Sequence, residues 1–342
     1  MRTDPDGSTL SRSGANLERA TALVTPLVTP LSYAREMARD WEETLRAWVK
    51  PPSDNEDAKR NKTEEEIKTA LRASPLLKPV GYKVYAKGSY ANNTNVRLDY
   101  DVDIAVECTD FYYHDQTGAA ADVKKAAVER KFTPYKGGYT PTQFKADVEQ
   151  ALVDYYGRSA VKRGNMAIRV REKKTTLPAD VVPCFEYHLV YDTDSWGNIK
   201  YYQGTRLYPD KGPYIHNWPQ QQYAKGVAKN DATGRRYKRM VRALKRLENE
   251  LVKQGKLQAK LPSFFMECLV YNVPNDRFNH KTYVKDMREV LAHIFNQTLS
   301  YEKCTDWLEV SERKYLFRTS QPWTWQQAHD LAGKAWDYMG LE

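Results

Sequence analysis

The segment KGSYANNTNVRLDYDVDIAV, residues 87–106, constrains this chain more than any other. Gly88-Ser89 closes a short strand-like run, YKVYA at 82–86, and twelve residues after Ser89 the chain enters a second one, DVDIAVEC at 101–108. In a strand, residues two apart share a face, so Asp101 and Asp103 project together while Val102 and Ile104 enter a core. Carboxylates arranged in this way suit two Mg²⁺ ions, with Mn²⁺ as the alternative. Such ions stand about 3.5–4 Å apart and hold the attacking and leaving oxygens of an in-line phosphoryl displacement. Gly88 would let the backbone approach a triphosphate, and the Ser89 hydroxyl and N–H would donate to phosphate oxygens. Asp99-Tyr100-Asp101 is a second Asp-x-Asp on the same face. The 101/103 pair is preferred because the apolar strand DIAV begins there, whereas Asp99 still lies in the polar connection.

The remaining composition narrows the class. A length of 342 residues suggests two lobes or one elaborated domain, and 24 Tyr, 9 Phe and 8 Trp are enough for a sizeable core. No apolar run approaches the ~18 residues of a membrane span, and MRTDPDGSTL lacks the apolar core of a secretory signal. A cytoplasmic, monomeric protein with no membrane partner is expected. The four cysteines are isolated, with no CxxC and no His/Cys cluster, so neither a disulfide framework nor a zinc ribbon is encoded. The net charge of +9 is concentrated at 233–260, which holds ten basic and two acidic side chains. One basic face serving a local anion is therefore favoured over a diffuse basic coat. At 100° per residue, Met240, Val241, Leu244, Leu247 and Leu251 share one face of this helix, with Arg235, Arg239, Arg242 and Arg246 on a solvated opposite face. Lys238 and Lys245 lie at the edge of the apolar stripe, where a long side chain can reach sideways into a cleft. Lys245 is the candidate for the triphosphate.

Ser32 predicts the cap of a helix running through Ala34, Met37, Trp41, Leu45 and Trp48, followed by a polar loop at 51–62. Thr63 with Glu66 predicts a capping box for a helix ending near Ala73. Beyond the two motif strands, 141–156 reads as a helix, 165–172 as a strand, and 179–191 as two strands separated at Pro183. Helices are predicted at 233–254, 263–272, 281–299 and 323–339. With strands central and helices dominating the carboxyl third, the expected fold is α+β, a mixed sheet plus a helical C-terminal lobe. The expected division is an N-terminal helical segment at 1–75, a core at 76–210 and the helical lobe at 211–342. The six histidines form no HxxxH site, and no GxSxG or Cys/His catalytic pattern is present.

Gly-Ser, a spacer of about a dozen residues and Asp-x-Asp in an apolar strand together resemble the polymerase-β-like nucleotidyltransferases. That resemblance implies a third carboxylate on a later strand, and Asp180 in LPADVVPCF sits in the matching context. IHNWPQQQY, the basic helix with RALKRLEN, and LPSFFMECLV resemble the helical half of the cGAS/DncV-like nucleotidyltransferases of antiphage signalling. Relatives place a lysine on this helix and a serine at the start of the next, which implies Lys245 and Ser263 as triphosphate contacts. The resemblance further implies that ATP and/or GTP are joined into a cyclic di- or trinucleotide with release of pyrophosphate, and that the product switches on a separate effector protein. The chain departs from the animal enzyme in having no His/Cys zinc insertion. Nucleic acid is expected to be dispensable as a primer, with an activating role left open. An RNA-tailing or oligoadenylate-type enzyme using the arginine face is the first rival. A non-catalytic nucleotide-sensing protein is the second, and the three carboxylates argue against it.

Overall fold

The computed structural model of the protein describes residues 39–96, 101–129 and 137–342, and residues Asp40–Glu342 form one unit. Helices α1 (Trp41–Trp48) and α2 (Asp54–Ala73) precede strand β1 (Tyr82–Ala86), the single-turn helix α3 (Gly88–Ala91) and the long strand β2 (Val102–Asp115). Next come α4 (Ala121–Glu129), α5 (Pro141–Tyr156), β3 (Val161–Arg163), β4 (Ile168–Val170), β5 (Ala179–Thr193), β6 (Ile199–Leu207) and β7 (Ile215–Asn217). The carboxyl third is helical: α6 (Pro219–Ala232), α7 (Arg236–Lys253), α8 (Ser263–Tyr271), α9 (Tyr283–Gln297), α10 (Tyr301–Cys304) and α11 (Trp325–Met339). None of the helices described is long and apolar enough to cross a membrane. The expected α+β architecture, a mixed sheet with a helical C-terminal lobe, is present.

The sheet is built on two long strands. β2 and β5 run parallel, β1 lies antiparallel outside β2, and β5 is flanked on its other side first by β4 and then by β6. Val102, Ile104 and Val106 point to a core that also holds Ile67 of α2, Phe144 of α5 and Val181 of β5. The opposite face of β2 carries Asp103, Ala105 and Glu107, as the two-residue period requires. A second core gathers α7, α8, α9 and α11 around Leu244, Phe265 and Leu291, and α1 contributes Leu45 and Val49 to it.

Four expectations change. The predicted loop at 51–62 is mostly helix, because the capping box is Ser53 with Glu56, whose carboxylate accepts the Ser53 N–H at 2.9 Å. Thr63 lies inside the helix, where its hydroxyl donates to Lys59 O at 2.8 Å and accepts from the Leu177 N–H at 2.9 Å. β5 is not broken at Pro183, which occupies the interval between β4 pairing, ending at Val181, and β6 pairing, beginning at Phe185. A residue without an N–H is tolerated where a strand changes neighbours. The helix predicted from the Ser32 cap is described only from Trp41, capped by Asp40, and its earlier residues lie outside the described chain.

The fourth change concerns α7. Its arginine face is solvated only in part: Arg235 is exposed and Arg239 and Arg246 are half-buried, while Arg242 is buried with Lys245 and Glu248. The Arg242 Nε donates to Val49 O at 2.9 Å and its Nη1 to Asn93 O at 2.5 Å. Arg239 is half-buried and donates to the Tyr283 hydroxyl. Arg242→Met should therefore lower the stability to unfolding by about 2–4 kcal/mol, because the buried Val49 carbonyl and the part-buried bond to the Asn93 carbonyl lose their charged donor. Arg235→Ala, at an exposed position, should stay within ~0.5 kcal/mol of the parent. Urea midpoints measure the difference, and coincident midpoints would put Arg242 back in solvent.

Candidate active site

The parallel register sets Asp103 beside Asp180, with Val102 beside Ala179 and Ile104 beside Val181. Neighbouring strands lie about 4.8 Å apart, so the two carboxylates share one face of the sheet at adjacent positions. Asp101 stands just before β2, bonded to the Arg169 guanidinium, whose Nε lies 3.5 Å from Asp180 Oδ1. Burial pushes the Asp103 carboxyl upward, Lys87 pulls it back, Asp180 and Asp101 raise it further, and Lys245 opposes them. Asp180 is also raised, first by burial and, after the opposing pull of Arg169, by Asp101. Asp103 thus feels both other carboxylates of the trio, and Asp180 feels Asp101. Asp99, the alternative partner in the motif, lies outside the described residues.

Among the described residues no three His, Cys, Asp or Glu side chains are gathered around one point at ligating distance, and Arg169 lies between Asp101 and Asp180. The donors nevertheless fit a hard divalent cation. All are carboxylate oxygens, two are desolvated, and their mutual repulsion is what a cation would relieve.

Gly88 brings the Gly-Ser turn against this cluster. Its φ of +68° lies in the left-handed region, and a Cβ there would overlap the Asp103 carboxylate, so glycine is required twice over. The Lys87 N–H donates to Asp103 O at 2.9 Å, tying the turn to β2. The far end of the turn is fixed by Thr94, which is fully buried. Its N–H donates to Ser89 O at 2.9 Å, its hydroxyl to Glu267 Oε2 at 2.9 Å, and its carbonyl accepts from Lys245 Nζ at 2.9 Å. Lys245 is thus 1% exposed and anchors the turn from α7, where a lysine at the edge of the apolar stripe had been expected.

One cleft of about 410 Å³ brings together Gly88, Ser89, Asp103, Lys245 and Ser263, five of the residues singled out from the sequence. Asp101 and Asp180 are not on its wall, and Asp180 lies beside Asp103 in register. Several residues at or beside the cleft escaped the sequence reading. Lys87 precedes the Gly-Ser pair and acts electrostatically on both Asp103 and Asp180, and among the described residues it makes no ion pair. Arg169 sits in NMAIRVRE, and only its pairing opposite Asp180 brings it to the site. Glu309, Lys314 and Gln321 come from a segment with no motif at all. The Lys directly before Gly-Ser was the one signal in the sequence that could have been used.

The model of the cGAS/DncV-like nucleotidyltransferase C-terminal helical domain matches residues 224–340. Over 304 residues the chain is 40% identical to the cyclic dipyrimidine nucleotide synthase CdnE of Legionella pneumophila, covering 89% of this chain and 99% of that protein. It is 35% identical over 308 residues to the cyclic dipurine nucleotide synthase of Elizabethkingia meningoseptica, covering 88% and 99%. Among solved structures, the Rhodothermus marinus CdnE c-UMP-AMP synthase with Apcpp and Upnpp matches with a TM-score of 0.72 at 30% identity, over 87% of this chain and 96% of that one. Likeness along nearly the whole length of these synthases, on the same mixed sheet and helical lobe, makes this chain a member of the cGAS/DncV-like nucleotidyltransferases.

Proposed function

We propose that the protein joins two or three ribonucleoside triphosphates into a cyclic oligonucleotide, releasing pyrophosphate at each step, as a signal in antiphage defence. The observation that carries this reading is the single cleft holding the Gly88-Ser89 turn, Asp103 and the α7–α8 residues Lys245 and Ser263. ATP and GTP are substrate candidates, and the relatives' names extend the set to pyrimidine nucleotides. The nucleotidyltransferase core spans 76–210 and the helical lobe 211–342, with the product acting on a separate effector.

The donor triphosphate lies along the Gly88-Ser89 turn, where the Ser89 hydroxyl and N–H donate to its phosphate oxygens and Lys87 balances their charge. Asp101, Asp103 and Asp180 would hold two Mg²⁺ or Mn²⁺ ions, which, when bound, polarise the α-phosphate and lower the pKa of the acceptor hydroxyl. Asp180, beside Asp103 in register, orients that hydroxyl behind the α-phosphorus. The new O–P bond forms as the bond to the pyrophosphate oxygen breaks. A second transfer within the linear product closes the ring. The rival use of α7 as an RNA-binding arginine stripe is disfavoured by the burial of Arg242 and the Arg239–Tyr283 bond.

Incubation with nucleoside triphosphates and Mg²⁺ or Mn²⁺ should leave a product whose mass matches a cyclic di- or trinucleotide and does not change on phosphatase treatment. A product that loses terminal phosphates, or extension of an added RNA primer, would overturn the reading. Asp103→Asn should reduce product formation by at least ~10³-fold with unchanged far-ultraviolet circular dichroism. Gly88→Ala should do the same, since its Cβ meets the carboxylate that the reaction needs. Retained turnover in either variant would remove Asp103 from the chemistry.

A further inference from the structure

The wall of the cleft supplied by the segment between α10 and α11 differs chemically from the rest. Glu309 is 6% exposed, yet it lines the cleft. Its Oε1 accepts from Gln321 Nε2 at 2.8 Å, and among the described residues nothing donates to its Oε2. The second N–H of the Gln321 amide donates to Tyr315 O at 3.0 Å, so both its donors are used and only its carbonyl oxygen is left. Two side chains thus present acceptors and no donor.

Their positions are fixed. The Glu309 N–H donates to Lys314 O at 2.9 Å, its carbonyl accepts from the Glu312 N–H at 2.8 Å, and the neighbouring Leu316 N–H closes on Trp307 O at 2.6 Å. Lys314 Nζ donates to His216 O at 2.5 Å, fastening the segment to β7. Burial pushes the Glu309 carboxyl upward while Lys314 and Gln321 pull it back. Beside this polar edge lie Phe264, half-buried, and Trp323, whose rings meet edge to face at 6.2 Å. Aromatic side chains on the wall next to a rigid pair of acceptors are the arrangement that receives a planar ring carrying hydrogen-bond donors.

We infer that Glu309 and Gln321 determine base specificity by accepting hydrogen bonds from the exocyclic amino group of a nucleobase bound in the cleft. This assignment rests on the proposed synthase reading and adds a substrate class to it: at least one of the two bases is amino-bearing. An amino group offers two hydrogens to the two acceptors, whereas uracil in place of cytosine, or hypoxanthine in place of adenine, presents a carbonyl at that position. Oxygen would then face oxygen, and a buried acceptor would lose its water without gaining a partner. Selection against the oxo base should be roughly ten- to hundredfold.

The test is equilibrium binding of α,β-methylene triphosphates to the full-length protein with Mg²⁺, comparing CTP with UTP and ATP with ITP, where an oxo group replaces the amino group, and GTP with ITP, where hydrogen replaces the 2-amino group. The wild type should prefer the amino-bearing member of at least one pair by roughly tenfold or more. In Glu309→Gln the amide oxygen keeps its bond to Gln321, so an NH₂ replaces the free Oε2. The preference should collapse or invert toward the oxo base, with the melting temperature unchanged. No preference in any wild-type pair, a preference that survives Glu309→Gln, or equal weakening of all analogues would overturn the assignment. Because binding needs no turnover, the two readings fail separately. Selective binding without a cyclic product removes the synthase reading, and a cyclic product with selectivity independent of Glu309 removes this one.

Discussion

The site depends on the contact between a carboxylate and a glycine. Asp103 sits on a strand flanked by β1 and β5, and Gly88 is folded against it in a conformation and at a separation that a side chain would prevent. That contact brings a turn with exposed backbone donors next to a carboxylate already crowded by Asp180 and Asp101. Anion-binding and cation-binding groups are thereby placed side by side without a long loop between them. Everything else in the cleft adjusts what happens at that junction.

The helical half does more than cover the sheet. Thr94 ties the Gly-Ser turn to α7 through Lys245 and to α8 through Glu267, and Arg242 holds the preceding carbonyl at Asn93. Two basic residues of α7 are thus directed at backbone carbonyls at the far end of the Gly-Ser turn. Such charge-assisted bonds in a buried setting are strong when complete and costly when broken. The geometry of the turn is therefore set jointly by a strand on one side and a helix on the other.

Much of the fold was legible because its periodicities are simple. YKVYA and the helix at 141–156 lie where the apolar spacing put them, and the four later helices were placed within a few residues at each end. The motif from Gly88 to Asp103 was legible because a strand face and a fixed spacing define it, and Asp180 was reached through the family resemblance and its apolar context. Other features depended on long-range packing. Arg242 and Lys245 read as solvated or peripheral because a helical wheel does not show that a second layer covers the polar face. Pro183 read as a break because the change of neighbour along β5 is a property of the sheet. Arg169 reaches Asp101 and Asp180 by register, and Glu309 reaches the cleft by a loop tether, neither of which has a local signature.

The central claim is that the three carboxylates form a binding centre for divalent cations beside a triphosphate. The most direct measurement is Mn²⁺ uptake followed by electron paramagnetic resonance in the presence of a non-reacting triphosphate. The account expects two ions per chain in the wild type and loss of uptake in Asp103→Asn. Uptake that is unchanged by Asp103→Asn would contradict it.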